Sequence, residues 1–286
     1  MTPNENAFTI YIFVPEGESD GLRIVDKSNW TGRGVVCPRA TFPDAKQREE
    51  FSRTGVYILV GSDEESGEPI LYIGEADDVG QRLKHHYANK DFWEWVTFFT
   101  AQDSNFNKTH AKYLESKLIA LAKETKRATL ENDKGSQPFK LSERETAYAN
   151  TFLQEMLRIF PLVGLTAFEK PQSKPNDKKK ILRIEAKGIV ATGFETPGGF
   201  VVRKGSQAVM GETPSLQRYV SSKRSKLLGQ GVLVEDDGRY VFTQNYDLSS
   251  PSQAAGVVLA AASNGRDAWK DHQGRSLKEI QEAVNG

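Results

Sequence analysis

The sequence predicts an α+β protein built in two parts joined by a charged linker. Two short apolar runs, Gly55 to Val60 and Ile70 to Ile73, flank a polar, Gly-containing stretch, as in a β-hairpin. Residues 108–124 set Ala111, Leu114, Leu118, Leu121 and Ala122 at the i, i+3, i+4, i+7 spacing of one helical face. Residues 170–180, KPQSKPNDKKK, hold two prolines, five lysines and no large apolar side chain, which marks a linker. The length of 286 residues suits two domains of roughly 100–200 residues each.

The remaining elements follow in chain order. Residues 8–14, FTIYIFV, are β-branched and aromatic and read as a strand, with a second at 22–25. Gly32, Gly34, Pro38 and Pro43 point to a loop over 28–43, followed by a short helix at 44–51. Beyond the hairpin, Asp77 and Asp78 are candidate caps for a helix at 78–87. Residues 95–100 form a third strand and 142–159 a further helix. The aromatic run Phe92, Trp93, Trp95, Phe98 and Phe99 reads as core around that strand, with base stacking as the alternative. Past the linker, Val232 to Val234 and Tyr240 to Phe242 flank Asp237-Gly238, a hairpin turn signal. Ser250-Pro251-Ser252-Gln253 has the form of a capping box opening a helix over 251–262, which Asn264-Gly265 ends.

Composition narrows the function classes. Thirty-eight basic side chains balance 38 acidic ones, which argues against a generic nucleic-acid coat. It leaves room for a nucleic-acid enzyme, whose charge is local. By segment the balance is −2 over 1–50, −3 over 51–135, +3 over 136–180 and +2 over 181–286. The single cysteine, Cys37, forbids an intramolecular disulfide and a Cys-based zinc cluster. The histidines, at 85, 86, 110 and 272, are too scattered for a His-rich metal cage, and His110 reads as a surface residue. No apolar run approaches the roughly 20 residues needed to cross a membrane, and no basic-flanked apolar leader opens the chain. The expectation is a cytoplasmic protein with no membrane partner. A GxxxxGK[ST] loop and a GxGxxG fingerprint are both missing, which argues against ATP-driven or dinucleotide chemistry.

One helix carries a local conflict. Glu115 lies on or beside the apolar stripe of 108–124, flanked by Leu114 and Leu118. A carboxylate facing a core is costly unless it is paired or bound to metal; the simpler reading is a stripe-edge residue that reaches water. Upstream, Tyr57 and Tyr72 sit on the two strands of the hairpin. Arg82 and His86, four apart, share one helix face. Each has an ordinary explanation alone. Together they gather phenols, a guanidinium, an imidazole and a carboxylate within about 60 residues, a set suited to phosphodiester hydrolysis.

Gly55-Val56-Tyr57, then Tyr72-Ile73-Gly74, then Arg82 ten residues after Tyr72, then His86, Glu115 and Asn132 resembles the GIY-YIG nuclease family in order and spacing, over roughly residues 53–135. The resemblance implies a small three-stranded antiparallel sheet flanked by helices. It implies that Tyr57, Tyr72, Arg82 and His86 surround the scissile phosphate and that Glu115 holds one divalent ion, Mg²⁺ or Mn²⁺. Asn132 would support the site at its far edge. The general base would be Tyr57 or Tyr72, with His86 relaying or accepting the proton, and Arg82 would clamp the phosphate. The family often has Lys or a small polar residue directly after the second triplet; here it is Glu75, close to Asp77 and Asp78. That acid would weaken DNA binding or add an outer metal contact. His85 projects about a quarter-turn from His86 and reads as a structural or surface residue, with a nucleic-acid contact as the alternative.

Residues 200–286 resemble a small C-terminal domain of unknown function that accompanies some GIY-YIG proteins and some restriction and methylation proteins. Lys204 to Ala208, Ser249 to Ala255, Asn264-Gly265 and Trp269-Lys270 carry that likeness. It implies DNA contacts, for which Ser250, Trp269 and Lys270 are the candidates, with capping and core packing as the plainer reading. The expected organisation is an N-terminal extension (1–50) that extends the nuclease sheet or packs beside it, a nuclease domain (51–135), a helix and linker (136–180), and a smaller C-terminal α+β targeting domain (181–286). The expected activity is metal-dependent DNA cleavage, in restriction or genome defence. The alternative is a nucleic-acid binding module that cuts weakly or not at all. A homodimer would let a single-site enzyme cut two strands.

Overall fold

In the computed structural model, which describes residues 7–64, 67–132, 140–169 and 181–283, the chain divides into two compact units. The first comprises residues 1–63 and 68–169, the second essentially residues 170–286. The segment 170–180, read as a linker, lies outside the described residues.

The first unit is built on one sheet of seven strands: β1 (Ile10–Phe13), β2 (Arg23–Lys27), β3 (Gly32–Pro38), β4 (Gly55–Ser62), β5 (Pro69–Ala76), β6 (Trp95–Ala101) and β7 (Thr129–Leu130). Their order is β1-β2-β3-β6-β4-β5-β7. The expected hairpin and third strand are there as the antiparallel set β6-β4-β5. These three strands sit inside a larger sheet, because β3 pairs with β6 along seven residues and carries β2 and β1 outward, so the N-terminal segment extends the sheet, one of its two expected placements. On the other side β7 adds a short parallel pairing to β5.

Strand β3 also corrects the loop expected over 28–43. Its glycines serve close packing: a Cβ on Gly34 would stand 2.9 Å from the Phe99 ring. Val35, Val36 and Cys37 are buried. The short helix expected at 44–51 is replaced by a four-residue helix, α1 (Phe42–Ala45), started by Pro43, and a 3₁₀ turn at Glu49–Ser52.

Strand β4 lies between two neighbours and is buried on both faces, which is why it reads as an unbroken apolar run. Val56, Ile58 and Val60 join Leu71, Ile73, Leu114, Leu118 and Phe152 in one core. Tyr57 and Leu59 point the other way, into a second core with Phe51, Leu83, Trp93 and Phe98. Trp93, Phe98 and Phe99 are at most 1 % exposed, so the aromatic run is mainly core.

The long helices are capped by the chemistry their sequences offer. Asp78 accepts the Gln81 amide at 2.7 Å and starts α2 (Val79–Asn89). Asn107 caps α3 (Lys108–Thr125), and His110 returns the favour by accepting the Asn107 amide on Nδ1. His110 is therefore buried, not a surface residue. Ser142 and Glu145 form the reciprocal box that opens α4 (Glu143–Ile159).

The second unit is also α+β. Strands β8 (Leu182–Ala186), β9 (Ile189–Thr196), β10 (Gly199–Val202) and β14 (Tyr246–Leu248) form a four-stranded sheet ordered β14-β10-β9-β8. Strands β11 (Gln207–Ala208), β12 (Leu233–Asp236) and β13 (Arg239–Phe242) form a three-stranded sheet ordered β11-β13-β12. Asp237 and Gly238 turn the β12–β13 hairpin, both at positive φ, as a type I′ turn requires. The helices are α5 (Arg218–Gly229), α6 (Pro251–Leu259), α7 (Gly265–Ala268) and α8 (Leu277–Glu282).

Two local expectations change here. Helix α6 stops at Ala260, which adopts a left-handed conformation, and Asn264 instead caps α7. Ser250 caps α6 as expected, but the Gln253 side chain accepts the Ser249 amide, not that of Ser250. Trp269 is fully buried against Phe200, with ring centroids 4.4 Å apart, and its indole N–H donates to the Pro251 carbonyl. Trp269→Ala is expected to destabilise the second unit by about 3–5 kcal/mol in urea unfolding, with Trp269→Phe costing clearly less.

Candidate active site

Tyr57 stands in the middle of the buried strand β4 and is 0 % exposed. Its hydroxyl reaches the surface layer only through other side chains. His86 Nε2 lies 2.8 Å away, and Arg82 Nε donates to the same oxygen at 3.2 Å. Both partners come from α2, one turn apart. The phenol has one proton, and it already accepts from Arg82. The consistent chain is therefore Arg82 Nε–H to Tyr57 oxygen, and Tyr57 O–H to His86 Nε2.

This arrangement sets the protonation states. Burial pushes the Tyr57 phenol upward, partly opposed by the Arg82 hydrogen bond, so it stays protonated. Burial, then the charges of Arg82 and Lys90, lower His86 to about 4, so it is neutral near pH 7. The hydrogen bonds to Tyr57, with Tyr72 contributing, raise Arg82 further.

Tyr72 on β5 lies beside this node. Its ring is stacked with that of Tyr57 at 6.3 Å and 13°, and lies 4.8 Å from the His86 ring. Tyr57 is fully enclosed, whereas Tyr72 is only half-buried. Gly74 and Gly55 make the approach of these elements possible. A Cβ on Gly74 would run into the Tyr57 hydroxyl, and one on Gly55 would stand 2.8 Å from the Phe99 carbonyl oxygen. The glycines of both triplets are thus demanded by packing around Tyr57 and Phe99.

Asn132 acts on the backbone. Its Oδ1 accepts from the Ile73 amide at 3.1 Å and its Nδ2 donates to the Ile73 carbonyl at 2.6 Å. It clamps β5 between Tyr72 and Gly74, which makes it a positioning residue.

Glu115, on α3, is half-buried. Burial, then the charge of Glu75, raises its carboxyl to about 7, with Lys112 and Arg82 pulling the other way. Glu75 is half-buried, and its Oε2 is enclosed with no hydrogen-bond partner. Two carboxylates thus face one another electrostatically beside the Arg82 cluster. Asp77 is drawn off to Lys108 at 2.6 Å, and Asp78 caps α2. His85 is exposed, edge-on to His86 at 5.9 Å. Among the described residues, no group of three or more His, Cys, Asp or Glu is placed to hold a metal ion.

Of the candidates in the second unit, only Lys270 presents its side chain outward. It lines a cavity of about 610 Å³ with Arg183, Asp267, Asp271 and His272. Ser250 is committed to its cap, and Trp269 to the core, which withdraws it as a ligand contact. A residue that the sequence reading left out is Lys90, which ends α2 and lays its ammonium over the Tyr72 ring. Its place at the close of an Arg82- and His86-bearing helix was the available signal.

The native state of His86 binds fewer protons than the unfolded chain between about pH 6.5 and 4. Its contribution to stability is full above the upper value and lost as pH falls toward the lower one. NMR titration is expected to show no protonation of His86 between about pH 7 and 5. A midpoint near 6.5 would contradict its burial against Tyr57.

A family model described as "Domain of unknown function (DUF4357)" matches residues 182–281, which is most of the second unit. The comparison with curated proteins finds no match. The comparison with solved structures finds none either. Among the described residues no helix is long and apolar enough to cross a membrane.

Proposed function

We propose that residues 53–135 act as a GIY-YIG-type endonuclease that hydrolyses phosphodiester bonds in DNA with the help of one divalent ion. The observation that carries this reading is the shared hydroxyl of Tyr57, which ties Arg82 and His86 to one point beside Tyr72. These are the residue types the reaction needs, and they come from separate elements, β4, β5 and α2.

The residues suit a cation. Glu115 is held near 7 by burial and by Glu75, and Glu75 has an enclosed oxygen without a partner. A Mg²⁺ or Mn²⁺ ion at Glu115 would relieve both, and Mg²⁺ is commonly held by one or two carboxylates while keeping several waters. When bound, the ion would polarise a non-bridging phosphate oxygen and stabilise the leaving oxygen. Arg82, exposed and fully charged, would clamp the phosphate and offset its growing charge. Tyr57 and His86 hold that guanidinium in place; enclosed and fixed in their protonation states, they are poor proton acceptors for a water. General-base help would come from Tyr72, the more open phenol. Asn132 keeps Tyr72 in register through Ile73.

The second unit would direct the enzyme to its DNA, in restriction or genome defence, with Lys270 as its candidate contact. A catalytically weak binding module is the second reading. The carboxylate of Glu75 favours it, since acid beside a phosphate pocket repels the substrate.

Wild type is expected to cut supercoiled plasmid, linear duplex or single-stranded DNA in Mg²⁺ or Mn²⁺ and not in EDTA. Glu115→Ala is expected to abolish cutting, and Arg82→Ala to slow it by about 10²–10³. Binding without cutting in either metal, unchanged by Glu115→Ala, would support the binding-module reading instead.

A further inference from the structure

Lys90 closes the helix that carries Arg82 and His86. Its amide donates to the His86 carbonyl at 2.9 Å, and its ammonium lies 4.8 Å from the centre of the Tyr72 ring and 5.9 Å from that of Phe92. It lowers the proton affinity of His86, which sets its charge within reach of the Tyr57 node. Its ion-pair partner is Glu131 at 3.8 Å, a side chain 47 % exposed. So open a pair is worth little, about 0–1 kcal/mol, and is readily exchanged for a stronger anion.

Arg82 and Lys90 are eight residues apart on α2, or about 12 Å along the helix axis. One strand of duplex advances about 3.4 Å of axis per nucleotide. Their backbone positions thus stand more than one nucleotide step apart, which lets the two side chains reach neighbouring phosphates of one strand. Tyr72 lies close to both: it helps raise the proton affinity of Arg82, and Lys90 covers its ring.

We propose that Lys90 forms a second phosphate subsite, which holds a backbone phosphodiester flanking the one that Arg82 clamps. This rests on the nuclease reading. Lys90 exchanges Glu131 for the phosphate, and the Phe92 ring forms the apolar side of the subsite. The lysine fixes the register of the strand across Tyr72, and it supplies affinity in a unit whose acidic residues outnumber its basic ones over 51–135.

The test uses the full-length chain with Glu115→Gln in EDTA, so that binding is read without cutting. Fluorescence anisotropy with short labelled single-stranded and duplex DNA is measured between about 50 and 200 mM salt. Adding Lys90→Gln is expected to lower the slope of log affinity against log salt by about 0.7–0.9, one phosphate contact. Lys90→Arg should restore the slope. Glu131→Gln should tighten binding, because it frees the lysine, and that gain should shrink when Lys90→Gln is also present, whereas simple loss of an acidic charge would tighten both backgrounds equally.

An unchanged slope in Lys90→Gln, or unchanged affinity in Glu131→Gln, would overturn the subsite while leaving metal-dependent cutting by wild type intact. A parent protein that binds neither DNA, with wild type that cuts neither, would remove the nuclease reading and the subsite with it.

Discussion

The hydroxyl of Tyr57 has no path to water, and a buried hydroxyl left without partners costs about 1–3 kcal/mol. Arg82 and His86 meet that requirement from one face of α2, and much of the first unit is arranged around it. Helix α2 must start where Asp78 caps it for both side chains to point at the sheet. Strand β5 must carry glycine opposite the phenol, because any side chain at Gly74 would displace it. Asn132 then fixes β5 from its far edge. A single satisfied polar group in an apolar strand thereby ties three elements to one geometry.

The surroundings make that geometry rigid. Strand β4 is central in the seven-stranded sheet, with separate apolar cores on its two faces. The three N-terminal strands extend the sheet beyond β6 and bury Val35 and Cys37 in the same core as Tyr57. The charged groups, by contrast, gather where burial is incomplete. Arg82 is exposed, while Glu75 and Glu115 are half-buried, so an incoming phosphate and cation would meet them at the edge of the fixed node.

The parts legible in the sequence are those with one dominant local signal. The β4–β5 hairpin shows as two apolar runs, α3 as a 3.6-residue stripe, and Asp78, Ser142 and Ser250 belong to recognisable caps or helix starts. Strand β3 is concealed because Gly32, Gly34 and Pro38 are turn formers in isolation. Only its neighbour β6, some sixty residues on, explains that Gly34 yields room to Phe99. His110 misleads for a similar reason: its ring substitutes for the usual Glu or Gln of a capping box and is buried with it. Trp269 could be named from sequence as core or ligand contact, and only its packing on Phe200 decides between them. Within the site, the spacing of Arg82 and His86 could be read, but their common partner could not, because it lies across the sheet-to-helix interface. Lys90 continues the four-residue spacing of Arg82 and His86, but its contact with Tyr72 is spatial and does not show in the sequence.

The most direct measurement is single-turnover DNA cleavage by Tyr57→Phe against wild type in Mg²⁺, with near-ultraviolet circular dichroism as the check on folding. The substitution removes one oxygen and keeps the ring in its core with Phe51, Leu83 and Phe98. The account predicts a folded protein that cuts at least about hundredfold more slowly, since Arg82 and His86 lose their common anchor. Undiminished cleavage by the folded variant, or none by wild type, would contradict it.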